Sequence, residues 1–273
     1  MQKPSTMTRW RGSCFALIVV AACAVSTGAT AQNTCQNPVY LTFEAGNMEA
    51  APFVAAALRR QGVKATFFAA NERTVQGDGS LGNYWAPWWK ARGAEGHEFA
   101  SNTYDRVFWR GDLPGRDIRF RMEPSAGALA GRQFTWDAAK YCSQISYAAE
   151  RLQDFTGRKT LPLFRAPGGK TSKRLLDSAQ ACGYAHVGWA ATGALGDALP
   201  SEQFSNDALL KRALRDVRSG DILQAHLGSD TRKDPWAPAV LEPLLVGLKA
   251  KGFCFKTLRE HPAYQSWIAA HGS

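Results

Sequence analysis

Gly96-His97-Glu98-Phe99-Ala100-Ser101-Asn102-Thr103-Tyr104-Asp105-Arg106 reads as a short strand, Glu98 to Ala100, that runs directly into a polar turn. α/β folds carry their working groups in this form, on polar residues at the carboxyl ends of strands. Upstream, residues 64–69 (KATFFA) read as another strand, and residues 48–60 place Ala, Phe and Leu at helical spacing before Gly62. Residues 39–43 (VYLTF) form the first strand. Downstream, residues 136–156 are a long amphipathic helix stopped by Gly157, followed by a strand over 161–164 with a glycine-rich turn and a helix over 171–182 before Gly183. Strands over 185–189 and 221–225 flank a helix at 206–217, and a helix over 237–251 leads to a last strand at 253–257. Apolar runs alternating with helical patterns indicate a parallel sheet. About seven strands and six or seven helices predict one α/β domain, a distorted and incomplete (β/α) barrel. Residues 71–86 and 104–134 are expected to be long loops, a length that marks functional or disordered segments.

The chain has 273 residues, 45% hydrophobic and 21% charged, an ordinary globular composition. Residues 1–31 read as a secretory signal peptide, leaving 32–273 as the domain. Lys3, Arg9 and Arg11 precede an apolar run from Cys14 to Val25, and Ala29-Thr30-Ala31 is a small-x-small cleavage site. That run is shorter than the ~20 residues that span a bilayer. Val20-Ala21-Ala22-Cys23 allows a second cut, which would leave a lipoprotein anchored through Cys23. Either route predicts an exported protein, periplasmic or secreted, with membrane contact only if Cys23 is lipidated. Cys35, Cys142, Cys182 and Cys254 then remain, an even number in an oxidising setting, with three possible pairings or buried free thiols as the alternative. Their spacing does not resemble a zinc site. The formal charge of +10 falls to about +7 without the leader, and a basic surface favours anionic polymers such as acidic glycans or phosphate-bearing envelope material. No nucleic-acid-binding motif is present, so nucleic acid is not an expected partner.

Four strand ends occur in order: Thr42-Phe43-Glu44-Ala45-Gly46, the stretch quoted first, Phe164-Arg165-Ala166-Pro167-Gly168-Gly169, and Gly220-Asp221-Ile222-Leu223-Gln224-Ala225-His226. This series resembles the ordered motifs of the polysaccharide deacetylase (NodB-homology) family, across essentially the whole chain after the leader. Residues 250–258 (AKGFCFKTL) resemble the family's last helix-to-strand turn. The resemblance implies hydrolysis of N- or O-acetyl groups on glycans. It makes Glu44 the counterpart of the catalytic base, Arg165 of the arginine orienting that base, and His226 of the general acid.

The family's metal ligands fall on Ala45, Asn102 and Arg106: a methyl, a neutral amide and a cation. A divalent ion such as zinc needs carboxylate or imidazole lone pairs, so no cofactor is expected. The fourth motif, Trp189-Ala190-Ala191-Thr192, lacks the carboxylate that would assist the acid. Arg106 is expected to take over the ion's charge and pair with Glu44, leaving Asn102, Arg106, Trp109 and Pro167 to contact a glycan. Gly168-Gly169 replaces an aromatic-Gly pair, which either opens the groove or permits a different loop. The leading expectation is a glycan- or envelope-binding homologue without the metal-dependent activity. The alternative is an atypical hydrolase with Glu44 as base, Arg106 as charge stabiliser and His226 as acid. Further alternatives are a hard cation on Glu44, Asp105 and Asn102, and a structural partner of a secreted polysaccharide machine. Trp85, Trp88 and Trp89 read as core, and His97 and His186 as structural.

Overall fold

The structure, a computed structural model, describes residues 1, 2, 6 and 35–272. The leader and the Cys23 alternative lie outside the described residues. Everything below belongs to one compact unit that starts at Cys35.

β1 (Pro38–Glu44) is the central strand, and six of its seven residues are buried, as expected where both faces of a parallel sheet are covered. On one side it pairs with β9 (Ile222–His226), setting Tyr40 beside Ile222 and Glu44 beside His226. On the other it pairs at its start with β10 (Cys254–Lys256) and at its end with β2 (Thr66–Ala69). The sheet continues through β3 (Glu98–Ser101), β7 (Leu163–Phe164) and β8 (Ala185–His186), all parallel. From β8 the chain reaches β9 without a regular strand. The backbone of Ala190 donates to Ile222, that of Gln224 to Gly193, and that of Leu195 to Gln224, closing the curl. The result is a seven-stranded parallel barrel with an irregular seam.

Helices cover its outside: α1 (Ala51–Arg60), α2 (Ala86–Ala94), α3 (Ala138–Thr156), α4 (Lys173–Ala181), α5 (Asn206–Asp216), and α6 (Glu242–Ala250), which follows a π turn. Trp85 and Trp89 are buried in the main core and Trp88 packs against it, as the sequence suggested.

Two elements correct the sequence reading. Residues 104–134 are not a structureless loop; they contain β4 (Val107–Asp112), β5 (Arg119–Pro124) and the start of β6 (Phe134–Asp137), an antiparallel sheet of three strands. Phe120, Met122 and Trp136 from its inner face pack with Tyr141 and Ile145 of α3 and Leu175 of α4, so its alternation is that of a half-buried sheet. The tail forms α7 (Pro262–His271), with the His261 ring accepting from the Ala263 amide and Pro262 in the first turn. Ile268 of α7 joins Leu161, Leu163 and Leu258 in a second core cluster.

The four cysteines pair as Cys35–Cys254 and Cys142–Cys182. The second joins α3 to the end of α4 across 40 residues. Cys142→Ala/Cys182→Ala is expected to cost about 2–4 kcal/mol, a fall in Tm of roughly 4–16 °C by calorimetry. A fall under about 2 °C would show that the cross-link does not constrain the unfolded chain. Among the described residues no helix is long and apolar enough to cross a membrane.

Candidate active site

The strand register brings the candidate residues to one level. Glu44 lies opposite Phe68 of β2 and His226 of β9, Ala69 lies opposite Ser101, and Ser101 opposite Phe164. The residues just past those ends (Ala45, Asn71-Glu72, Asn102 and Arg165) therefore ring one end of the barrel.

Glu44 is 3% exposed. Its carboxylate lies 3.6 Å from Arg165 Nη1 and 3.8 Å from His226 Nε2, and it accepts from Gln224 Nε2 at 3.3 Å. Arg165 is fully buried; its Nε donates to the Val187 carbonyl at 3.2 Å and its Nη2 to Gly188 at 3.3 Å. Its guanidinium lies 4.2 Å from the Phe68 ring centre and 5.4 Å from that of Trp189. Burial brings its pKa down to about 10, opposed by Glu44, so it stays a cation at neutral pH.

His226 has a carboxylate partner that the sequence reading held to be missing. Asp197, in the segment after the seam, accepts the His226 backbone amide at 2.7 Å and lies 3.0 Å from its Nδ1. Burial pushes the imidazole pKa down, but Asp197, with Glu44 and Glu72, outweighs it and raises it to about 9. A folded pKa above the unfolded value near 6.5 gives stability that is complete below about pH 6.5 and is lost as pH climbs through about 9. Asp197→Asn should remove most of that slope from urea midpoints between those limits and lower the His226 titration in NMR by more than about one unit. An unchanged titration would dismiss Asp197 as its main support.

Arg106 does not pair with Glu44. Its Nε lies 3.0 Å from Glu72 Oε2, while Glu72 Oε1 accepts the Gly46 amide at 2.9 Å. Burial raises the Glu72 pKa, with Arg106 and His226 opposing it. The cause of the altered pairing is backbone: Thr103 and Arg106 both adopt left-handed conformations, φ 62° and 47°. Thr103 Oγ1 accepts the Val107 amide at 2.7 Å and Gln144 Oε1 the Asp105 amide at 2.8 Å, fixing that turn. Gly46 must be glycine, because a Cβ there would come within 2.2 Å of the Gly228 carbonyl.

Asn102 is fully buried; its Nδ2 donates to the Arg165 carbonyl at 3.0 Å, and its Oδ1 has no partner among the described residues. Pro167 is buried and begins a 3-10 turn over Pro167–Gly169. Trp109 is half-buried on the inner face of β4, donating to Asp112 Oδ1 at 3.0 Å. Asp105 accepts from Gln144 Nε2 of α3, away from Glu44's partners. Phe108 is the aromatic at the site's edge. A Cβ on Gly168 would come within 2.9 Å of its ring, so Phe108 occupies space that the missing side chain after Pro167 would need. His97 is buried, accepts the Ala65 amide and has a pKa lowered to about 4 by burial; burial also lowers His186 to about 4.

These donors do not suit a divalent metal. Ala45 is a buried methyl, Asn102 offers one neutral oxygen, and Arg106 places a guanidinium beside them. Among the described residues no three His, Cys, Asp or Glu side chains converge as a ligand set. A cleft of about 200 Å³ opens beside His226 and Asp197, walled by Phe53, Pro235 and Trp236. Another, of about 350 Å³, is walled by Trp189, Leu199, Gln224 and His226.

The model for polysaccharide deacetylases matches residues 31–187. Solved structures share the fold. One is a peptidoglycan N-acetylglucosamine deacetylase, 22% identical, covering 82% of this chain and 87% of its own with a TM-score of 0.60. An acetyl xylan esterase from Clostridium thermocellum, solved with cobalt, is 20% identical, covering 84% and 92% with a TM-score of 0.61. A carbohydrate esterase family 4 pseudoenzyme from Bacillus anthracis is 17% identical, covering 82% and 65% with a TM-score of 0.59; a mutant with restored enzymatic activity has also been solved. No curated protein sequence matches the chain. With more than half its length matched and its barrel shared, the chain belongs to the polysaccharide deacetylase family.

Proposed function

We propose that the protein is an exported glycan- or envelope-binding member of this family that lacks its metal-dependent deacetylation. The observation that carries the reading is the Arg106–Glu72 ion pair at 3.0 Å, with a cation on a family ligand position. A metal there would polarise the acetyl carbonyl and activate water, an effect of several kcal/mol that no side chain present reproduces. The two clefts flanking His226, with Trp189 and Phe53 in their walls, offer the apolar faces on which sugar rings rest. The leader, with release to the periplasm or medium or anchorage through Cys23, completes the proposal.

A second reading is favoured by the Asp197–His226 pair. His226, raised to about 9, is protonated at neutral pH and could donate to a leaving group while Glu44, held by Arg165 and Gln224, accepts a proton from water. Such an enzyme would remove acetyl groups from a glycan without metal, with Arg106 contributing positive charge nearby. Acetate release from acetylated chitooligosaccharides and acetylxylan separates the two, alongside glycan pull-down and metal analysis of the purified protein. The binding reading expects glycan retention, no stoichiometric metal and no acetate above background. Turnover abolished by a chelator would end both readings. Turnover that survives chelation but vanishes in Glu44→Gln would establish the second.

A further inference from the structure

We propose that the solvent face of the β4–β5–β6 sheet is a docking surface for a carboxylate-bearing, uronate-type polysaccharide, and that it leads the polymer to the Glu44 site. The inference rests on the glycan-binding reading above and adds the class of glycan.

β5 alternates cleanly. Phe120 and Met122 are buried, whereas Arg119 and Arg121 are exposed on the opposite face. The register places Arg121 between Gly111 of β4 and Thr135 of β6, neighbours too small and uncharged to engage its guanidinium. Arg119 faces Asp137, but that carboxylate accepts the Lys140 amide at 2.8 Å to cap α3. Arg116 and Arg132 stand in the turns on either side of β5, both exposed. Among the described residues none of Arg116, Arg119, Arg121 and Arg132 forms an ion pair. The nearby carboxylate Glu123 is already held by Arg110, at 3.1 and 3.2 Å.

Arg116, Arg119 and Arg121 leave this face of the sheet positive, whereas Arg132 lies 5.3 Å over the Phe134 ring on the other side; a patch of one sign attracts a polyanion. Their chemistry calls for an oxyanion. All are arginines, whose planar fork takes a carboxylate or a phosphate through two parallel hydrogen bonds, and the polyphosphate arm of the test below separates the two. Arg119 and Arg121, two residues apart on one strand face, stand about 6.8 Å apart, suited to a polymer that repeats its charge. The surface is also fixed in shape. Arg174 of α4 donates to the carbonyls of Leu113 and Asp117, and Ser172 Oγ donates to Asp112, so the β4–β5 turn is tied down. Its direction is set by β4: Arg110 and Arg106 both lie over Phe108, at 5.0 and 5.2 Å, and Phe108 abuts Gly168 at the site's edge. The arginines thus form a track that ends on the site proposed to hold a glycan, so the polymer carrying the charge is itself a glycan.

Affinity electrophoresis of the full chain through gels containing polygalacturonate tests this. Fully methyl-esterified polygalacturonate supplies the same backbone without charge, and polyphosphate supplies charge without sugar. The wild type should be retarded by polygalacturonate at about 50 mM salt and released by about 300 mM, where screening is strong. Arg119→Ala/Arg121→Ala should weaken retardation by about tenfold or more, with unchanged melting because both side chains are exposed. Lys90→Ala/Lys211→Ala removes the same charge from α2 and α5 and should change it less than about twofold. Equal retardation by the esterified polymer, an unaffected Arg119/Arg121 variant, or equally tight polyphosphate binding with the same loss would each overturn the uronate assignment. Neutral acetylated oligosaccharides provide the separate control. If they bind while polygalacturonate does not, the glycan-binding reading stands and this extension alone falls.

Discussion

Arg165→Ala is expected to lower stability by about 3–5 kcal/mol, seen as a fall in Tm of roughly 6–20 °C. The size follows from burial. Arg165 has no exposed surface, and removing its guanidinium leaves Glu44, itself 3% exposed, beside Gln224 and His226 without that cation. It also strips the Val187 and Gly188 carbonyls of their donor and the Phe68 and Trp189 rings of the group packed on them. Breaking a buried pair costs more than the pair is worth, because the charge left behind loses a partner; Glu44 then keeps only the His226 ring, 3.8 Å away. Arg165→Ala/Glu44→Gln should therefore recover part of the loss, with a coupling of about 1 kcal/mol or more in a double-mutant cycle. Strict additivity would mean that Arg165 acts through its carbonyl and ring contacts and not through Glu44.

Restoring a ligand set should have the other large effect. Ala45→Asp/Asn102→His/Arg106→His is expected to bind about one equivalent of zinc, where the wild type binds none at stoichiometry. Removing Arg106 releases Glu72, whose carboxylate then faces the site with the Gly46 amide as its remaining fixed partner. With zinc at about 100 times its Kd, the variant should gain about 2.7 kcal/mol, so its Tm should rise by roughly 5–11 °C and fall back on chelation. Arg106→His alone should show no such rise. A triple variant that folds yet ignores zinc would mean that the strand ends no longer hold ligand geometry. Stoichiometric zinc in the wild type would refute the reading of Arg106 as the resident cation.

The barrel was legible because parallel strands buried on both faces are written as short apolar runs, and each run ended on residues that the register later aligned. Glu44, Arg165 and His226 could be located for that reason. Glu72 escaped attention inside a segment read as loop, yet it lies three residues past Ala69, where the same strand-end logic would have found it. Asp197 left less trace, since it follows a seam that has no strand pattern and is fixed by hydrogen bonds from Gln224 and Leu195. Arg106 was aimed wrongly because non-glycine residues with positive φ are uncommon, and two of them redirect this turn. In β5, by contrast, the period-two pattern of Arg119, Phe120, Arg121 and Met122 was available to read.

The Cys35–Cys254 bond joins the first described residue of the domain to its last strand, at a sequence separation of 219. The polypeptide between those two sulfurs is topologically a circle. A protease that cuts any single surface segment inside it opens the circle but frees no fragment, so the nicked molecule should migrate as one species until a reductant is added. For a protein proposed to work outside the cell, that geometry turns a lethal cut into a survivable one.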